Sequence, residues 1–378
     1  MFFVQRYSNY LAILLVAVII AFHPPVKNWE SKFVKQQADG SLTYTPDEKG
    51  NILPDFSRVG YHENNGALPD VPVVKTVEAG SNAQQAIEDA IAEVSKRTPD
   101  KNGFRGAILL KKGVYDIPGT IHINAGGIVL RGEGNDTKLV ASGAGQRALI
   151  SVSGTGSIRE TAGSRTTITD DYVPTGAFSF HVQSAAGFAA GDRIIVYRPG
   201  TEAWVKDLKM DQIEARDGTK QWEAKDYNFQ FERVVTKTEG NTVFIDNPIV
   251  MALDKKYGGG EIYKYTFNGR LSEVGVENLY CESAFASDTD ENHGWNAVLL
   301  DKLENGWVRN VTSRYFGYSC VNLDNAARNI TVQDCNCFDA KSQITGGRRY
   351  SFNNTGQLNL FMDCHATEGR HDYVTGAK

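Results

Sequence analysis

Four short stretches, Val276-Glu277-Asn278-Leu279, Val308-Arg309-Asn310-Val311, Val332-Gln333-Asp334-Cys335 and Phe361-Met362-Asp363-Cys364, align on an Asn or Asp, at spacings of 32, 24 and 29 residues. A second register places an aromatic at the head of a short apolar run, at Trp295, Tyr318, Tyr350 and Tyr373. Repeats of this period mark a solenoid, and short strands bounded by Asn, Asp and Gly mark one built of β-coils. Unequal spacings imply coils that share strands but differ in turn length. Side-chain parity gives an independent check. Before the Asn/Asp the alternate residues are apolar (Val274 and Val276; Ile330 and Val332). After it the apolar or small set shifts by one (Leu279 and Cys281; Val311 and Ser313; Cys335 and Cys337; Cys364 and Ala366). Strand side chains alternate with period 2, so the shift predicts a bend at each Asn/Asp, residues that tolerate the left-handed conformation.

Composition agrees with this class. The chain has 378 residues, 37 Gly, 11 Pro and a formal net charge of -5. A nucleic-acid binder would ordinarily carry a basic excess, so that class is excluded. Four of the five cysteines share ladder positions (Cys281 with Cys337, Cys335 with Cys364), and the cysteines read as small apolar core residues rather than a disulfide framework or zinc site.

Taken in order, residues 1–24 read as a signal peptide or anchor. Arg6 precedes the apolar run Leu11 to Phe22, which suits an export leader and is short for a span of roughly 20 residues. The expected location is secreted or periplasmic, with no membrane span once the leader is removed. Residues 25–80 are polar and are expected to lie extended. Ser81 and Gln84 form a capping box, opening a helix whose apolar stripe is Ala83, Ala86, Ile87, Ala90, Ile91 and Val94. Strands at 107–110, 113–115, 121–123 and 127–130 follow, so residues 81–172 are the first coils with a helix capping their open end. Residues 173–266 break the repeat and read as a small β insertion rich in aromatics, among them Trp204 and Trp222. Coils resume over 267–378 and are still in mid-coil at Lys378, with further coils expected beyond it. The fold class is all-β: a right-handed parallel β-helix with an N-terminal capping helix and a β insertion.

The stretch Asp55-Phe56-Ser57-Arg58-Val59-Gly60-Tyr61, the Ala-rich helix, Gly113-Val114-Tyr115 and the run from Gly127 to Gly134 together resemble the opening of pectate-lyase-superfamily β-helix proteins. That group includes polysaccharide lyases, rhamnogalacturonase-type hydrolases, epimerases and phage tailspikes. The resemblance implies the fold and a polysaccharide ligand. It carries no catalytic residue across, because the paired-Asp and Gly-His-Gly signatures of the hydrolases are absent, as is the Trp-Ile-Asp-His stretch of the pectate lyases.

The turns before each aromatic collect functional groups. For β-elimination on an acidic glycan the candidate catalytic residues are His293, Tyr315, Lys341, His371 and Asp372. Arg314, Arg348, Arg349 and Arg370 would hold carboxylates, and Trp204 and Trp222 would offer sugar-stacking faces. Asp288, Asp290 and Glu291 are the candidate ligands if Ca2+ supplies the positive charge; no other cofactor is implied. The register places His293, Arg348 and His371 each two residues before an aromatic, which predicts one ridge. The expected activity is that of a polysaccharide lyase. Hydrolysis by a carboxylate pair drawn from Asp288, Asp290, Glu368 and Asp372, and non-enzymatic glycan binding of an adhesin kind, are the alternatives.

Export with cleavage predicts that N-terminal sequencing of secreted protein starts near residue 23. An intact Met1 in the membrane fraction would establish an anchor instead.

Overall fold

The computed structural model describes residues 31–216 and 218–376. The leader lies outside the described residues. The chain divides at Leu53/Pro54 into two units. In the first, Val34–Gln36 pairs antiparallel with Leu42–Tyr44 as a small hairpin.

The second unit is the β-helix. Its long sheet stacks Val73–Val77, Gly106–Leu110, Ile128–Ala141, Leu271–Ser283, Leu303–Arg314, Arg328–Gln333 and Leu360–Met362 in parallel. Shorter segments, Gly113–Ile117, Asn336–Phe338 and His365–Ala366, continue the outer rungs of the same sheet. The facing sheet, also parallel, stacks Ile121–Ile123, Arg147–Ser153, Gly294–Asp301, Ser319–Leu323, Tyr350–Asn354 and His371–Thr375. Val276, Val308, Val332 and Phe361 are register partners, as the sequence alignment requires.

Each aligned Asn or Asp is left-handed, with φ of 58° at Asn278, 51° at Asn310, 54° at Asp334 and 52° at Asp363. Asn310 donates its side-chain amide to the Asn278 oxygen at 2.9 Å, so one bend supports the next. The residue count inverts there, and Leu279, Cys281, Val311, Cys335 and Cys337 all turn into the core with Val276, Val308 and Val332. All five cysteines are free thiols.

The helix Ala83–Ser95 packs its buried stripe (Ala83, Ile87, Ala90, Ile91, Val94) onto the first coil and closes that end. The expected capping box does not form. Asn82 is the N-cap and makes no side-chain cap bond; Gln84 instead accepts from the Gly119 N–H at 2.7 Å, spending its amide on the next coil's turn.

The insertion is an antiparallel sheet with its own core of Val182, Ile194, Val196, Phe229, Phe231 and neighbours. It begins earlier than composition suggests, because Arg159–Glu160 pairs with Tyr265–Thr266 and Thr166–Thr167 with Glu261–Ile262. The polar run from 54 to 80 is likewise not a loose extension, since Val73–Val77 is the first strand of the long sheet.

The outer face of the long sheet is covered on one half only. Before the bend, Trp307 is fully buried under Tyr61 (5.2 Å between ring centroids), Phe104 (6.0 Å) and Val71. Gly275 makes room for it, since a Cβ there would stand 2.3 Å from the indole. Beside it Glu277, fully buried, accepts from Trp307 at 2.9 Å and from Arg309 at 2.7 Å, and pairs with Arg131. After the bend no described residue provides such a cover. There the outward rows run Lys138, Tyr280, Thr312, Asn336, His365 and Val140, Glu282, Arg314, Phe338 across successive rungs.

Cys281, Cys335 and Cys337 face the core, and burial pushes the Cys281 thiol up to about 12. Thiol reagents should therefore label these positions slowly in the native protein and completely after denaturation. Fast native labelling of Cys337 would be incompatible with this register.

Candidate functional site

The uncovered strip ends in a second left-handed column. Continuing the strand register past Arg314–Phe338 by one residue and past Cys337–Ala366 by two places Tyr315, Asp339 and Glu368 at one position of successive rungs, with φ of 70°, 55° and 61°. Asn and Asp tolerate this conformation at the inner bend, but Tyr and Glu ordinarily avoid it, and strain of this kind concentrates at functional positions.

The side chains around the column are charged and aromatic. Arg314 donates to Asp339 through Nε at 2.7 Å and Nη2 at 2.6 Å. Burial raises the Asp339 carboxyl, but the bonds with Arg314 and Glu368 and the charges of Arg314 and Lys341 outweigh it and hold it below its ordinary value. The contribution of this pairing to stability is therefore present above the unfolded carboxylate range of about pH 4 and is lost as pH falls through the lower folded value. The Tyr315 ring packs on Phe285 at 4.9 Å, with the Arg314 guanidinium 5.4 Å and the Lys341 ammonium 5.7 Å from its centroid. No described residue hydrogen-bonds the Tyr315 hydroxyl, and it is not among the buried unsatisfied atoms. Lys341 is paired with Asp288 at 2.9 Å. Upstream on the strip, Lys138 pairs with Glu282 at 2.8 Å beside Tyr280.

Two loops, 284–293 and 339–349, frame this column. Arg348 clamps Glu291, and Arg349 reaches the main-chain oxygens of Ser342 (3.0 Å through Nε) and Asp288 (3.2 Å). His293 is 2% exposed; its Nε2 donates to the Lys341 carbonyl at 2.8 Å and its Nδ1 lies 2.8 Å from Ser283 Oγ. Both ring nitrogens are thus committed to protein partners, and the imidazole holds the loops rather than facing solvent.

The expected single ridge of His293, Arg348 and His371 does not form. The Val321–Phe352 pairing sets Tyr318 opposite Arg349, and Tyr350 pairs with His371, so the third coil sits one residue and the last a further two out of the aromatic alignment. The turns of unequal length absorb the difference. His371 is exposed with its ring 5.4 Å from Tyr350, Arg348 lies back in the loop, and Asp372 accepts from Ser351 Oγ at 3.2 Å. The aromatic series that does stack is Trp295, Tyr318, Tyr350 and His371, at 6.2, 5.4 and 5.4 Å.

The proposed Ca2+ ligands do not converge either. Asp288 turns to Lys341 and Glu291 to Arg348, while Asp290 accepts the Ala286 and Asn292 N–H groups of its own loop. Each carboxyl is held below its ordinary value by those partners. Among the described residues no group of three or more His, Cys, Asp or Glu is placed to hold a metal ion. In the insertion, Trp222 stacks on Tyr227 at 4.1 Å and Trp204 packs beside both, with Arg198 4.8 Å from its ring, so these aromatics spend much of their surface on each other. Asp339 and Phe285 were missed by sequence reasoning. Asp339 was findable, since it stands in the alignment one residue beyond the second inward cysteine's neighbour, at the position of Tyr315 and Glu368.

Comparison with known proteins gives only distant likenesses. No family model matches the chain, and no curated protein does. Among solved structures it is similar to the tailspike of Pseudomonas phage LKA1 (17% identity, TM-score 0.41, covering 74% of this chain and 38% of that one). It is also similar to a tailspike of Acinetobacter baumannii bacteriophage AP22 in complex with capsular saccharide (16%, 0.34, 78% and 42%). A third likeness is to an alginate lyase of family PL6 (9%, 0.30, 92% and 38%). The chain spans about two fifths of the length of each. Among its described residues no helix is long and apolar enough to cross a membrane.

Arg348→Met removes the clamp between the two loops while leaving the core untouched. The thermal midpoint should hardly move, since exposed ion pairs contribute about 0–1 kcal/mol. Limited proteolysis between Lys341 and Arg349 should accelerate; unchanged cleavage would show that Arg349 and His293 hold the loop by themselves.

Proposed function

We propose that the chain is an exported polysaccharide-active β-helix protein that cleaves a uronate-containing glycan by β-elimination on the uncovered strip of the long sheet. The carrying observation is the left-handed Tyr315, with its hydroxyl free of protein partners and two cations, Arg314 and Lys341, against its ring. Tyr315, acting as the phenolate, takes the proton from the carbon next to the uronate carboxylate and becomes the phenol. The released electron pair forms the new double bond as the bond to the glycosidic oxygen breaks, and the proton is returned to that oxygen. Charge accumulates on the carboxylate during the step, and Arg314 and Lys341 supply positive charge beside it. Of the other bases considered, His293 has both nitrogens occupied and the Lys341 ammonium is paired with Asp288. His371 stands at the end of the aromatic series, on the facing sheet rather than the long one.

A second reading rests on a different observation. Asp339 and Glu368 are carboxyls at one position of successive rungs, and two carboxyls flanking the scissile bond are the machinery of glycoside hydrolysis.

Ultraviolet absorbance of unsaturated products and a reducing-end assay on uronate polymers separate the two. Under elimination, Tyr315→Phe loses unsaturated product by about a hundredfold or more with an unchanged thermal midpoint. New reducing ends without unsaturation, lost in Asp339→Asn and Glu368→Gln but kept in Tyr315→Phe, would replace elimination by hydrolysis. Binding of the glycan without either product would leave an adhesin-like protein.

A further inference from the structure

The loops that frame the column treat their cations in two ways. Arg314, Lys341 and Arg348 each have a carboxylate within 4 Å: Asp339, Asp288 and Glu291. Arg349 and Arg370 have none among the described residues. Arg349 uses Nε and one Nη on main-chain carbonyls, those of Ser342 and Asp288. Arg370 uses Nη1 on the Gly346 carbonyl at 2.7 Å and the Tyr350 hydroxyl at 3.2 Å. One edge of each guanidinium is thus fixed to the loop from Ser342 to Arg349, with Arg349 reaching Asp288 of the other loop as well. The remaining donors, Nη1 of Arg349 and Nε and Nη2 of Arg370, have no protein acceptor and are not among the buried unsatisfied atoms, so they face solvent. The two residues are also joined through the backbone, the Arg370 N–H donating to the Arg349 carbonyl at 2.9 Å. Arg349 is itself left-handed at φ 55°. Asp288, whose main-chain oxygen accepts from Arg349, gives its carboxylate to Lys341.

We propose that Arg349 and Arg370 form an oxyanion-binding subsite, taking carboxylate or sulfate substituents of a polyanionic glycan at the rim of the strip. The proposal rests on the polysaccharide reading but not on elimination. A half-buried guanidinium without a counter-charge is costly, and one whose fork is already oriented by main-chain carbonyls gives up little rotamer entropy when an anion arrives. Planar bidentate pairing then selects a carboxylate or sulfate oxygen pair over a neutral hydroxyl. Arg348, whose fork is closed on Glu291, is not part of it.

Calorimetric titration of the full chain with polygalacturonate, dextran sulfate and neutral dextran at low salt tests this. Polygalacturonate alone binding identifies a carboxylate subsite, dextran sulfate alone a sulfate subsite, and neutral dextran should not bind. Arg370→Gln should weaken the anionic polymer about tenfold, the scale of a lost charge-assisted hydrogen bond. Arg349→Gln should do at least as much, but it also loosens the loop, so Arg370→Gln decides. Unsaturated product absent from the wild type, with binding still dependent on Arg370, would end the elimination reading and leave the subsite standing. Equal binding by Arg370→Gln and wild type, or no preference for anionic over neutral dextran, would overturn the subsite.

Discussion

Everything that the long sheet presents follows from one backbone constraint, the left-handed residue in the middle of each rung. A strand that continued straight past Asn278 would carry Glu282 and Tyr280 inward and Cys281 outward. The left-handed turn inverts the parity, so the core receives Val276, Leu279 and Cys281 together, and Tyr280 and Glu282 are left outside. Because strands stack about 4.8 Å apart and in register, each inversion is copied by the next rung. A single slipped rung would put charged residues against Val308 and Val332. Register is therefore strongly specified, and the Asn278–Asn310 side-chain bond reinforces it at the position where backbone hydrogen bonding is weakest.

The same inversion divides the outer face into two halves of different chemistry. The half before the bend carries Trp307, Val129 and the buried carboxylate Glu277, and it needs a cover, because an exposed indole and an aliphatic row would favour association. The 54–72 segment supplies it, with the Tyr61 hydroxyl 2.6 Å and His62 Nε2 2.9 Å from the Glu273 carboxylate. The half after the bend carries Lys138, Glu282, Arg314 and Asn336, which water can solvate, and it is left open. Placement of the candidate site is thus a consequence of which half could afford exposure, decided by residue type in two columns.

The helix cap, the coils and the inner bends were legible in the sequence because each rests on a local periodicity that the core enforces. The candidate site was only partly legible. Tyr315, Arg314 and Lys341 were in the predicted turns, and the structure brings them together. Which partner each charge takes was not legible, because a loop's hydrogen bonds depend on how two turns of unequal length fold across each other. Thus His293, singled out as a base, is a buried strut, and Asp288, Asp290 and Glu291, adjacent in sequence, face three different partners. The aromatic alignment failed for a related reason. It assumed that Tyr350 and Tyr373 mark the same strand position, whereas the pairing of Phe352 with Tyr373 puts the second ring in the core column and His371 in the outer one.

An overall charge of -5 does not oppose a polyanionic ligand at this strip. At physiological ionic strength exposed charges more than about 8 Å apart are largely screened, so the ligand responds to the groups it touches rather than to the sum. Along the strip most cations are neutralised laterally by the acid of a neighbouring rung or loop, as Lys138 is by Glu282 and Arg314 by Asp339. These pairs present alternating charge, which gives little net attraction but a defined pattern. Arg349 and Arg370 depart from the pattern because main-chain carbonyls orient them without cancelling their charge. A carbonyl dipole fixes a guanidinium's direction and leaves its full positive charge available to a ligand; a carboxylate fixes the direction and offsets the charge at a distance, so that it acts only on an atom in contact. That difference, rather than the number of basic residues, sets Arg349 and Arg370 apart from the paired cations Arg314, Lys341 and Arg348.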